Sequence, residues 1–167
     1  MAQIHINIGS NQQRRLNITR AIEAIKLIFS NVQISSIYQS PSEGFSGDDF
    51  FNLGVNATTN LSPSEVAQSL RKIEQEQGRD RSQPKFSSRN IDLDLVFYDQ
   101  LIDQSANLPR DDILKYAFVL APLSEINPDT LHPVENKSYG ELWRRFQSEN
   151  SYGLQQYNKD EVLGESV

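Results

Sequence analysis

The chain has 167 residues, no cysteine and a formal net charge of −6, which fits one domain and excludes disulfides, thiolate metal sites and a cysteine nucleophile. The acidic balance argues against bulk nucleic-acid binding, which rests on many Lys/Arg–phosphate contacts, and the two histidines, His5 and His132, stand too far apart in sequence for a His-rich site. The opening Met1-Ala2-Gln3-Ile4-His5 has no basic segment followed by an apolar run, and no apolar stretch approaches the ~20 residues of a membrane span, so a soluble, cytoplasmic protein with no membrane attachment is expected.

Residues 3–8 alternate, with Ile4, Ile6 and Ile8 on one face and His5 and Asn7 on the other. This predicts a first strand with His5 as a partly exposed strand residue. Gly9-Ser10-Asn11 is expected to break the strand in a strand-to-helix turn. A helix is predicted over 12–29, with Leu16, Ile22, Ile25, Ile28 and Phe29 as its buried stripe. Val32, Ile34 and Ile37 predict a second strand ending near Tyr38. Residues 40–49 are rich in Ser, Pro, Gly and Asp and read as a loop of the length often used for lids or binding segments. Residues 50–57 resume as a third strand, with Phe51, Leu53 and Val55 on one face and Phe50 and Asn52 on the other. Ser62-Pro63-Ser64-Glu65 has the spacing of a capping box with proline in the first turn. Val66, Leu70 and Ile73 supply that helix's buried stripe, Glu74 lies near its end, and Gly78 is its expected stop.

The chain then reaches Arg89-Asn90-Ile91-Asp92-Leu93-Asp94-Leu95-Val96-Phe97-Tyr98. Ile91, Leu93, Leu95 and Phe97 alternate as the inner face of a half-buried strand. Asp92 and Asp94 fall on its other face, about 6.6–6.8 Å apart by strand rise. Packing does not require two neighbouring carboxylates there. Arg79, Arg81, Lys85 and Arg89 lie just upstream. Two readings fit: the solvated face of an edge strand beside a basic loop, or a site for Mg²⁺ and a polyphosphate, since Mg²⁺ is usually held by one or two carboxylates plus substrate phosphates.

The order strand, helix, strand, strand, helix, strand predicts an α+β, ferredoxin-like βαββαβ fold, an antiparallel sheet with the helices on one face. A short strand is expected at Leu101-Ile102. A buried helical segment around Phe118 to Leu123 is expected to be kinked or started by Pro122, and a short helix to begin at Ser138 and run through Trp143 and Phe146. These are the additional C-terminal helices of a single domain over 1–147. Residues 148–167 are polar and aperiodic and are expected to form a loose tail.

Several motifs together resemble the 6-hydroxymethyl-7,8-dihydropterin pyrophosphokinase family of folate biosynthesis. They are Ile8-Gly9-Ser10-Asn11, Tyr38-Gln39-Ser40-Pro41 leading to Phe51-Asn52, Ile73-Glu74 through Gly78-Arg79-Asp80-Arg81, Arg89-Asn90-Ile91-Asp92-Leu93-Asp94, and Phe118-Val119-Leu120-Ala121-Pro122-Leu123. The resemblance implies transfer of pyrophosphate from ATP to a pterin hydroxymethyl group, leaving AMP, with small molecules as the only partners and a monomer as the expected state. It implies that Asp92 and Asp94 hold two Mg²⁺ ions and that Arg79 and Arg89 are catalytic. Glu74, Arg81 and Arg89 would serve ATP, and Ser40, Pro41, Phe50, Asn52 and Phe118 would form the pterin pocket.

The chain departs from that family's pattern at several positions. Phe50 stands where a Tyr is common, Phe86 where a Trp is typical, Arg110-Asp111 where His-Tyr is usual, Tyr116 where an Arg follows, and Arg71 where a Gln faces the nucleotide. Arg110 or Arg71 would replace the lost phosphate contacts, because a guanidinium grips phosphate as a fork. Asp111 would repel a triphosphate unless it faces away. The alternative is a pterin-binding protein of the same fold with weak or lost catalysis. A ferredoxin-like RNA binder is disfavoured by the acidity and by Asp92 and Asp94.

Overall fold

The computed structural model describes residues 1–41, 49–78, 91–150 and 152–164. Strand β1 (Ala2–Ser10) lies at the heart of the sheet, antiparallel to β4 (Phe50–Thr59) on one side and to β5 (Asp92–Tyr98) on the other. With β2 (Ser30–Ile34), β3 (Ile37–Ser40) and β6 (Gln155–Tyr157), the order runs β5-β1-β4-β3-β6, and β2 also pairs with β4. Helix α1 (Arg14–Ile28) connects β1 to β2, and α2 (Pro63–Glu76) connects β4 to β5. This is the expected ferredoxin-like arrangement, with its second strand divided. At Ser35 the side chain as well as the backbone bonds Gly54 (2.8 and 2.9 Å), and β2 and β3 take successive stretches of β4.

Ile4, Ile6 and Ile8 pack against both crossover helices in the larger core. Val66, Leu70 and Ile73 of α2 are buried as expected. Ser62 and Glu65 form the full capping box, each accepting from the other's backbone N–H at 3.2 and 3.0 Å. In α1 the buried line runs through Ile18, Ala21, Ile22 and Ile25, while Leu16 and Ile28 are 44% and 42% exposed. Asn17 is buried because its side chain holds the helix start through the Gln12 carbonyl, at 2.7 Å. That places Leu16 on the outer side. Gly9 and Ser10 remain inside β1 and do not break it.

Helices cover both faces of the sheet, where one was expected. α3 (Ala117–Ile126) and α4 (Tyr139–Glu149) form a second core on the opposite side with Val96 and Phe97. The cause is a bulge in β5. Ile6 pairs with Leu95 but His5 pairs with Phe97, so one residue is skipped and Phe97 turns away from the side of Leu93 and Leu95. Phe97 stacks between His5 (5.9 Å) and Tyr139 (6.0 Å). His5 is consequently fully buried, not partly exposed; its Nδ1 bonds Asn56 Oδ1 at 2.8 Å, and burial pushes its pKa down to about 4.

Leu101 and Ile102 form no strand and are exposed; the chain closes there through a bridge between Asp103 and Leu108. Pro122 lies inside α3. The last segment is not a loose tail. β6 pairs antiparallel with β3, and α5 (Lys159–Leu163) places Leu163 in the larger core. All three β6 residues are exposed, so their pairing is a backbone matter and leaves no apolar period in the sequence.

Candidate active site

The smaller core stops short of one end of the sheet. There β1 places Gly9 between Asp92 of β5 and Asn52 of β4, and Asn52 in turn pairs with Tyr38 of β3. One residue pair further along, Asn7 lies between Asp94 and Gly54. The acids and the Asn52 amide thus share a face, two strand spacings or about 10 Å apart, with a residue lacking a side chain between them. A Cβ on Gly9 would come within 3.1 Å of Asn52 Oδ1, so glycine is needed for Asn52 to lie as it does.

Asp92 and Asp94 are half-buried. Among the described residues, no group of three or more His, Cys, Asp or Glu could hold a metal ion. A pair of carboxylates is short of an all-protein cage. It fits a hard cation that completes its shell with water and phosphate oxygens, the usual state of protein-bound Mg²⁺. Glu74 of α2 is fully buried, and its Oε2 accepts from the Leu93 N–H at 2.8 Å. Leu93 lies between the two acids on the outermost strand, so α2 covers an edge donor and fixes the strand that carries both carboxylates.

Arg110 approaches from the following segment. Its Nη1 lies 3.7 Å from Asp94 Oδ1, while Nε and Nη2 donate to Asp112 Oδ2 at 3.2 and 3.0 Å. Burial alone would loosen the guanidinium proton, but Asp94, Asp112 and Asp92 outweigh it and raise the pKa above the ordinary arginine value. Asp111 points elsewhere: it accepts from Lys115 Nζ and from the Asn107 amide, both at 3.0 Å, and those bonds lower its pKa. Tyr116 stacks on Phe118 at 4.9 Å between ring centres. Arg71 is exposed on α2.

Phe118 is held over the sheet by a specific exchange. Pro122 has no N–H, which leaves the Phe118 carbonyl without its helical donor. Asn7, with its amide nitrogen turned toward α3, donates to that carbonyl at 3.2 Å and to Leu53 O at 3.3 Å. On the far side Ser40 and Asn52 are buried and joined, Asn52 Nδ2 donating to Ser40 Oγ at 2.9 Å; Phe50 is half-buried and Pro41 exposed. Tyr38 O–H donates to Glu125 at 2.7 Å, and Glu125 also accepts from Ser36, which ties α3 to β3.

The fold therefore gathers Asp92, Asp94 and Arg110 at one side and Ser40, Phe50 and Asn52 at the other, with Phe118 anchored on Asn7 of the strand between them. Arg79, Arg81, Arg89 and Phe86 lie outside the described residues. Sequence reasoning missed Asp112, Asn7 and Glu125. Only Asp112 carried a signal, a second acid two places after Arg110.

A family model for 7,8-dihydro-6-hydroxymethylpterin-pyrophosphokinase (HPPK) matches residues 5–128. The chain belongs to the HPPK family. It is 33% identical over 146 residues to the 2-amino-4-hydroxy-6-hydroxymethyldihydropteridine pyrophosphokinase of Aquifex aeolicus, an alignment covering 85% of this chain and 91% of that one. The protein of the same name from Synechocystis is 36% identical over 75% of this chain and 66% of its own length. A solved Plasmodium falciparum HPPK-DHPS structure shares the fold, with a TM-score of 0.69 at 12% identity, over 99% of this chain but 46% of that one. The HPPK match covers every described site residue and ends at 128, before α4, β6 and α5. Within it, Arg110 and Asp111 stand side by side yet turn to different partners, Asp94 with Asp112 and Lys115 with Asn107.

Proposed function

We propose that this chain performs the HPPK reaction, moving a pyrophosphoryl group from ATP to the hydroxymethyl oxygen of 6-hydroxymethyl-7,8-dihydropterin in folate biosynthesis, with Asp92 and Asp94 as the ligands of two Mg²⁺ ions. The observation that carries the reading is the row Asp92–Gly9–Asn52, which puts acids and a pterin-reading amide on one face with open backbone between them. When bound, the metal neutralises phosphate charge and favours loss of the alcohol proton.

The chain's own residues do the rest. Asn52, oriented by its bond to Ser40, presents its amide to the polar edge of the pterin. Phe118 offers an aromatic face, pinned by Asn7, and Phe50 and Pro41 complete the pocket. Together they hold the hydroxymethyl oxygen toward Asp92 and Asp94 and shield it from water. Arg110 meets the phosphates where charge develops, joined by Arg79, Arg81 and Arg89. Arg71 and Glu74 serve the nucleotide side, Glu74 by fixing β5. The protein works as a cytoplasmic monomer on small-molecule substrates; among the described residues no helix is long and apolar enough to cross a membrane.

The test is AMP release from MgATP in the presence of the hydroxymethyl pterin. Asp94→Ala is expected to lower turnover by at least about a thousandfold while leaving pterin binding within a few-fold. Near-normal turnover in that variant would remove Asp94 from the metal site. Pterin binding with no AMP from the unaltered chain would mark a binding protein.

A further inference from the structure

Arg110 is fixed at three points around the acidic pair. Its backbone N–H donates to the Val96 carbonyl at 2.9 Å, two residues beyond Asp94. Nε and Nη2 share Asp112 Oδ2 at 3.2 and 3.0 Å. Only Nη1 is left to reach Asp94, at 3.7 Å, and the arginine side chain is 26% exposed. The two carboxylates therefore have different jobs. Asp112 makes short hydrogen bonds and anchors the guanidinium. Asp94 makes a long ion pair, at the outer limit of such contacts, that is easily exchanged.

A guanidinium held there is a resident counter-charge. A divalent cation on Asp94 would stand a few ångströms from it and be repelled. A polyphosphate reverses the balance, because its oxygens give Nη1 a new acceptor and leave Asp94 to the cation. We propose that Arg110 occupies Asp94 until a polyphosphate arrives, so that the divalent cation binds weakly alone and tightly with the nucleotide. The inference rests on Asp92 and Asp94 being the metal ligands.

The experiment uses Mn²⁺ as the probe, followed by electron paramagnetic resonance on nucleotide-free protein. Arg110→Gln keeps a donor for Asp112 and removes the charge. It is expected to bind Mn²⁺ about threefold to tenfold more tightly than the unaltered chain, with Asp94→Asn removing that binding in either background. Equal or weaker binding in Arg110→Gln overturns the proposal while leaving the metal assignment standing. Mn²⁺ binding that ignores Asp94→Asn overturns both. Should Arg110→Gln fail to fold, ¹⁵N NMR of the unaltered chain reads the same event. The Arg110 Nη–H signals are expected to shift on Mg²⁺ saturation, and unmoved signals overturn the proposal.

Discussion

Gly54 shows how much one missing side chain can decide. A Cβ at that position would stand 2.5 Å from His5 Cε1 and 3.2 Å from Pro122 Cβ. Its absence lets the His5 ring lie flat in the sheet's second face and lets α3 settle on top. Gly54→Ala is therefore expected to cost roughly 1–3 kcal/mol through overpacking, read from urea unfolding midpoints. His5→Ala should restore part of that loss in the double variant, and simple additivity would show that the collision is not the cause. The sequence places a glycine inside an apolar strand, which marks a close approach of something. It does not say which ring, because His5 and Gly54 meet diagonally across two strands. Asp92 and Asp94 were easier, since a period of two puts them on one face whatever packs behind.

At the level of elements, those with a local cause were the ones that could be read. α2 announces itself by Ser62, Pro63 and Glu65, and its buried stripe follows from the same phase. β5 was read correctly as far as Leu95 and wrongly at Phe97, because the bulge is set by pairing with β1 and not by β5's own residues. α5 and β6 were missed for a similar reason. Neither has a repeating apolar face, and two adjacent residues, buried Leu163 and half-buried Val162, carry α5 into the larger core. Leu163→Ala should cost about 2 kcal/mol, toward the low end for a leucine at the margin of a core. The loss should appear as earlier amide exchange in 155–163 before the sheet itself opens. Exchange rates unchanged in that segment would mean that backbone pairing alone holds it.

Across the whole molecule, the sheet is covered on both faces, and His5 is buried in the middle of it. With a folded pKa near 4 against an ordinary 6.5, the unfolded chain binds more protons through that window. Stability should therefore fall as pH drops below about 6.5, by about 2 kcal/mol at pH 5 from this group, with the loss complete only below about pH 4. Burial lowers the pKa of His132 as well, which adds in the same direction. Comparing urea midpoints at pH 7.5 and 5 for the unaltered chain and His5→Gln isolates the effect; an equal pH response in both would remove His5 as its source. β3 carries Ser40 and leads to Pro41, and its outer rim is occupied by the chain's own residues 155–157. A neighbouring molecule that tried to zip onto this flank would first have to peel off three residues. Strand β3 is thus guarded against fibre-like stacking by a gasket too short and too hydrophilic to invite stacking itself.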